Sequence, residues 1–109
     1  MRRDWYCEDV LSGKMKVKKI WEDDRVLVFY HPDPTAERHA VAIPKKHIPS
    51  LMDSSIIDGE LLTSMMTAVQ KAAVEMGINK SGFFLESNAI DPSVTPHAHW
   101  HIKSFESKK

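Results

Sequence analysis

His97-Ala98-His99-Trp100-His101-Ile102-Lys103 alternates polar and apolar side chains with a period of two, which is the repeat of a half-buried β-strand. In an extended chain successive side chains leave opposite faces. His97, His99 and His101 therefore share one face, while Ala98, Trp100 and Ile102 point into a core. Such a strand needs a sheet to belong to, and the preceding sequence supplies one. Phe83-Phe84-Leu85 begins a strand of its own, and residues 88–96, with Pro92 and Pro96, form the loop between the two.

Further upstream, Leu61, Leu62, Met65, Met66, Val69, Ala72, Ala73 and Met76 recur at three- and four-residue steps. That spacing predicts one apolar face of a helix over about 58–76. Asp58 stands at the N-cap position and Gly77 where a left-handed C-terminal residue belongs. The methionines at this spacing read as core rather than as a ligand surface. His39-Ala40-Val41-Ala42-Ile43 reads as a strand stopped by Pro44, and 48–52 as one helical turn. Ile20-Trp21-Glu22 and Val26-Leu27-Val28-Phe29-Tyr30 flank the acidic turn Asp23-Asp24 as a hairpin. Pro32 to Thr35 form a loop, and Asp9-Val10-Leu11 a short helical turn before Ser12-Gly13. The order is β-β-β-α-β-β. The expectation is an α+β fold: an antiparallel sheet of about five strands with one long helix and a short N-terminal helix.

The bulk properties fit one domain spanning residues 1–109, since 109 residues and 12.5 kDa leave no room for two cores. Fifteen basic residues balance fifteen acidic ones, so no bulk nucleic-acid binding is expected, because that needs an uncompensated basic surface. Cys7 is the single cysteine. It can form no intrachain disulfide and has no partner for a structural zinc site, so a reducing compartment is expected, the cytoplasm or the nucleus. Arg2-Arg3 are followed by Asp4-Trp5 rather than an apolar run, and no stretch approaches the ~20 apolar residues of a membrane span. No repeat or low-complexity segment is present.

Three histidines on one strand face require a reason. With six His in the chain, composition alone produces the pattern about once in fifty such sequences, and crowded imidazoles repel when protonated. Two chemistries suit them. They can share a zinc, copper or iron ion, or they can bind an anion, with one neutral imidazole as nucleophile and its neighbours as donors. No acid lies inside the motif, although Glu86 is expected on the neighbouring strand, and the balance favours anion chemistry.

His97-x-His99-x-His101 with apolar residues between resembles the signature of the histidine-triad (HIT) superfamily. His39-Ala40-Val41-Ala42-Ile43-Pro44-Lys45-Lys46-His47-Ile48 is similar to the strand and PKKH element of its Hint-like branch, and the 20–29 hairpin matches that branch in order and spacing. The resemblance extends from about Trp5 to Ile102. It implies a homodimer that binds purine mononucleotides and hydrolyses nucleoside phosphoramidates or related nucleotidyl conjugates by attack at the α-phosphate. It also implies His99 as the nucleophile that carries a nucleotidyl group, with His97, His101 and His39 as the other catalytic residues, and neither cofactor nor metal. Nucleotide contacts fall on Phe29, His31, Asp33, Asn88, Ser93 and Thr95.

Some of these positions depart from the pattern. His31 stands where the family carries a ribose-binding aspartate, with Asp33 close by. Ser93 and Thr95 flank Val94 at the usual hydroxyl position, and Lys103 replaces the final hydrophobic residue. The alternatives are a nucleotide-binding protein with little turnover and a metal-binding histidine site. His47 reads as structural, Lys45-Lys46 as a solvated turn, and Trp5-Tyr6 as a core plug.

Overall fold

A computed structural model describes residues 6–32, 34, 36–87 and 97–104. Five strands form one antiparallel sheet: β1 (Lys19–Glu22), β2 (Val26–Tyr30), β3 (Arg38–Pro44), β4 (Phe84–Glu86) and β5 (Trp100–Ser104), in the order β1-β2-β3-β5-β4. One helix, α1 (Gly59–Glu75), follows β3, and a six-residue π-helical turn, Tyr6–Leu11, precedes the sheet. The expected fold class is the observed one.

β2 throughout and β3 from Ala40 onward are apolar because both faces of the sheet are covered there. Val26, Val28, Ala40, Ala42 and Ile102 pack beneath α1 with Met65, Val69 and Ala72. The intervening residues Leu27, Phe29, Val41 and Ile43 point the other way, against Tyr6 and Val10 of the N-terminal turn. Register keeps each set together, for Phe29 lies opposite Val41, and Val41 opposite His101.

α1 starts and stops where its caps stand. The Asp58 carboxylate accepts from the backbone N–H groups of Glu60 and Leu61 at 3.0 and 3.1 Å, satisfying two donors that have no partner within the helix. At the other end Gly77 takes φ +73°, a conformation that costs any side chain-bearing residue. The buried stripe is rotated from its sequence pattern: Leu62 and Met66 are exposed, and Ser64 and Ala68 are buried instead. The helix lies over β1, β2 and β3, with little contact to β5. The edge strand β4 is therefore left bare, with Phe84 and Leu85 exposed.

Two element boundaries differ from expectation. The turn predicted over 48–52 starts at Ser50, whose hydroxyl accepts from the Met52 N–H and whose carbonyl accepts from the Asp53 N–H, both at 3.1 Å. It leads into a 3₁₀ turn at Ser54–Ile56 capped by the Asp53 carboxylate. Pro49 disfavours helical backbone at the residue before it, which keeps residue 48 out of the turn. The last strand begins at Trp100 rather than His97, because His97 to His99 are held by other bonds, described below. Removing the cap at Asp58 should cost about 1 kcal/mol. Urea unfolding of Asp58→Ala should show a lower midpoint with an unchanged slope, and an unchanged midpoint would mean the cap contributes nothing.

Candidate active site

The face of the sheet opposite α1 carries the imidazoles. His39 lies on β3 and His101 on β5, while His97 and His99 precede β5. The alternation read from the sequence persists outside the ladder: Ala98 and Ile102 are buried on the α1 side, and His97 and His99 contact Tyr6 on the other. Two bonds hold this stretch. The Ala98 N–H donates to the Ile48 carbonyl at 2.6 Å. The His97 ring donates from Nε2 to the Pro44 carbonyl at 2.9 Å. His97 is thus fully buried yet satisfied.

His99 is fixed by its neighbour's backbone. Its Nδ1 lies 2.8 Å from the His97 carbonyl, which can only accept, so Nδ1 carries the hydrogen. In the neutral ring the lone pair then resides on Nε2. Burial holds His99 below the ordinary imidazole pKa, partly offset by that backbone bond. The Ser87 hydroxyl donates to the His99 carbonyl at 2.6 Å, so the main chain on both sides of the ring is tied. The Tyr6 ring packs 5.2 Å from the His99 ring and 5.7 Å from that of His97. Against expectation the N-terminal aromatic is more than a core plug, since it walls the triad. The sequence signal for this was its apolar register with Val10, one helical face.

His101 meets His99 edge-on, with ring centroids 4.8 Å apart. On its other side His101 Nδ1 lies 2.8 Å from His39 Nε2, a bond spanning 62 residues of sequence that β3–β5 pairing makes inevitable. Two ring nitrogens at that distance share one hydrogen. Burial, reinforced by the His31 and Lys103 charges, pushes His39 down to about 4. Burial and then the neighbouring His99, His39 and Lys103 push His101 down to about 3. Glu86, opposite His101 on β4, is bound to Lys103 at 2.6 Å and so faces this corner as an ion pair.

The remaining assigned residues divide three ways. His31 is brought into the site, its ring stacked on His39 at 4.4 Å and 17°. Phe29 is fully buried, its ring 6.5 Å from that of Tyr6. Asp33, Asn88, Ser93 and Thr95 lie outside the described residues. His47 is exposed with its ring edge-on to His97, and Lys45 pairs with Glu22 at 2.6 Å. A cavity of about 190 Å³ opens beside His31 and His39. A larger one of about 460 Å³, lined by Val10, Leu11, Lys16, Lys45 and others, includes no histidine, and the smaller touches the imidazoles through His31 and His39 but not the triad. Among the described residues no helix is long and apolar enough to cross a membrane.

Comparisons with known proteins converge on one family. The HIT domain model matches residues 12–106. An uncharacterised HIT-like protein of Helicobacter pylori is 32% identical over 99 residues, covering 89% of this chain and 92% of that protein. The crystal structure of a HIT family hydrolase from Legionella pneumophila superposes with a TM-score of 0.82 at 27% identity, covering 96% of this chain and 95% of that one. An adenylylsulfatase of Arabidopsis thaliana is 26% identical over 98 residues, covering 89% of this chain and 49% of that protein.

The low positions of His39 and His101 carry a consequence for stability. In the unfolded chain both imidazoles take up a proton near pH 6.5, whereas folded they resist until about 4 and about 3. The unfolded state binds more protons in that interval, so stability falls as pH falls. The contribution should be complete above about pH 6.5 and lost progressively toward pH 3–4. In metal-free buffer, NMR titration of the ring protons should find both imidazoles neutral at pH 5.5, and thermal midpoints should decline through this window. Protonation of both rings above pH 6 would contradict the geometry.

Proposed function

The chain belongs to the HIT domain family, and from that premise we propose that it hydrolyses nucleotidyl conjugates, in the first instance purine nucleoside phosphoramidates, with His99 as nucleophile. The observation that carries this reading is the bond from His99 Nδ1 to the His97 carbonyl. It leaves an unprotonated Nε2 on a ring that burial keeps neutral, which is what attack on phosphorus requires. The hydrolase title of the Legionella neighbour and the adenylylsulfatase name of the Arabidopsis relative support the reaction class and an adenylyl substrate.

In the reaction His99 Nε2 attacks the α-phosphorus and the bond to the leaving nitrogen breaks, that nitrogen taking up a proton from solvent, to which the later water attack gives one back. Water then attacks the nucleotidyl-imidazole, releases the nucleotide and returns the proton. His97 positions the nucleophile through its carbonyl, and its ring anchors that carbonyl in turn to β3. His101 and His39 face the phosphate oxygens as a hydrogen-bonded pair. An arriving anion favours the charged imidazole, opposing the burial that keeps the pair neutral when the site is empty. His31 occupies the ribose position, where an imidazole donates to one hydroxyl in place of a carboxylate accepting from two. The His99→Ala variant keeps the phosphate-facing pair, so turnover should fall at least ~10³-fold while AMP affinity changes less than about tenfold. Rapid quench with labelled substrate should trap acid-labile nucleotide on the wild type and none on this variant. Label persisting on His99→Ala would assign the nucleophile elsewhere.

A homodimer is part of the same proposal. β4 is the edge strand with Phe84 and Leu85 exposed, and α1 leaves Leu62 and Met66 uncovered. An isologous contact that extends the sheet across β4 buries all four. Sedimentation at micromolar concentration should give twice the 12.5 kDa chain mass, and Leu85→Lys should shift it toward the single chain. A wild type that sediments only as the single chain would remove the dimer.

A further inference from the structure

Imidazoles from three different strands converge at one end of the site. His31 follows β2 directly, His39 lies on β3 and His101 on β5. One ligating nitrogen of each lies within 4.8 Å of the others. The triad itself does not form this group, as only His101 belongs to both. Its third member exists because an imidazole stands at position 31, tied into the sheet by the bond from its own N–H to the His39 carbonyl at 3.0 Å.

We propose that His31, His39 and His101 form a three-imidazole site for a late first-row divalent ion, Zn²⁺ in particular. Tetrahedral zinc holds its nitrogen ligands at ~2.0–2.1 Å, which places them about 3.3–3.4 Å from each other. The His39–His101 pair at 2.8 Å has to part by about half an ångström as its shared proton is replaced by the ion. His31 is stacked on His39 at 17°, so its ring has to turn out of that stack to aim a nitrogen at the ion, a rotation open to a half-buried side chain at the end of its strand. Three neutral nitrogens with no thiolate select zinc, copper, nickel or cobalt over magnesium or calcium. Burial keeps His39 and His101 in the deprotonated form that ligation needs. The cavity of about 190 Å³ beside His31 and His39, lined also by Tyr30, Glu37, Arg38 and Glu75, leaves room next to the group for water or a phosphate oxygen as a fourth ligand.

The ion takes up His39 Nε2 and His101 Nδ1, the atoms these rings use to bind each other. Metal and the proton-sharing pair therefore exclude one another, and the loaded site is closed to ribose at His31. Under the reaction proposed above the ion is an inhibitor, but its binding does not depend on that reaction.

Chelator-stripped, tag-free protein titrated with Co²⁺ should develop the visible absorption of a tetrahedral nitrogen site at one ion per chain, and Zn²⁺ should displace it. His31→Ala and His31→Gln should each weaken Zn²⁺ binding at least tenfold while keeping the wild-type circular dichroism. The exposed His47→Ala should bind as the wild type does. His99→Ala, inactive in turnover, should still take up one ion, so failure of the nucleophile assignment and failure of this site read out separately. Absence of saturable binding, His31 variants that bind undiminished, or a loss at His99→Ala equal to that at His31→Ala would overturn the proposal.

Discussion

The pairing of β3 with β5 is the constraint from which the site follows. It places Val41 opposite His101 and His39 opposite Lys103, and so brings together rings that are far apart in sequence. A one-residue slip of β5 would send the triad histidines to the face beneath α1, into the packed apolar core. Burial of Ala40, Ala42 and Ile102 on that face therefore holds the imidazoles to the other. The hydrophobic core and the reactive face are two sides of one register.

That second face is covered lightly. One six-residue turn, through Tyr6 and Val10, closes it over Leu27, Phe29, Val41 and Ile43. Tyr6 is both the last residue of this smaller core and the wall behind His97 and His99. The rings of His39, His99 and His101 are dry enough to stay neutral and near enough to the surface to meet a ligand. Depressed imidazole pKa values and a site open to solvent are compatible only at such a margin.

Much of this was legible in period and punctuation. Val26–Tyr30 and 39–43 read as buried strands because both faces of the sheet are covered there. Asp58 and Gly77 bounded the helix because capping is local chemistry. The three histidines were placed on one face by alternation alone, and their family by the residues around them. What period could not reveal was tertiary in origin. Leu62 and Met66 fit an apolar helix pattern, yet α1 is rolled so that Ser64 and Ala68 face the sheet instead. His97 looked like the start of a strand, but its partners are the carbonyl of Pro44 and, through Ala98, that of Ile48. The stacking of His31 on His39 depends on the β2–β3 register, which sets His31 opposite His39 one step beyond the Tyr30–Ala40 pair, and neither residue's neighbours announce it.

The two anchors of the triad's leading segment lie four residues apart on a single connection. Pro44 ends β3 and holds the His97 ring, while Ile48, fully buried, holds the Ala98 backbone. Between them Lys46 and His47 are exposed, and by exposure alone the connection resembles any tolerant surface loop. Its length is nevertheless a gauge. An inserted residue would displace one anchor relative to the other, rotating His97 and with it the carbonyl that sets the His99 ring. Here side-chain identity is free to drift where the number of residues is not.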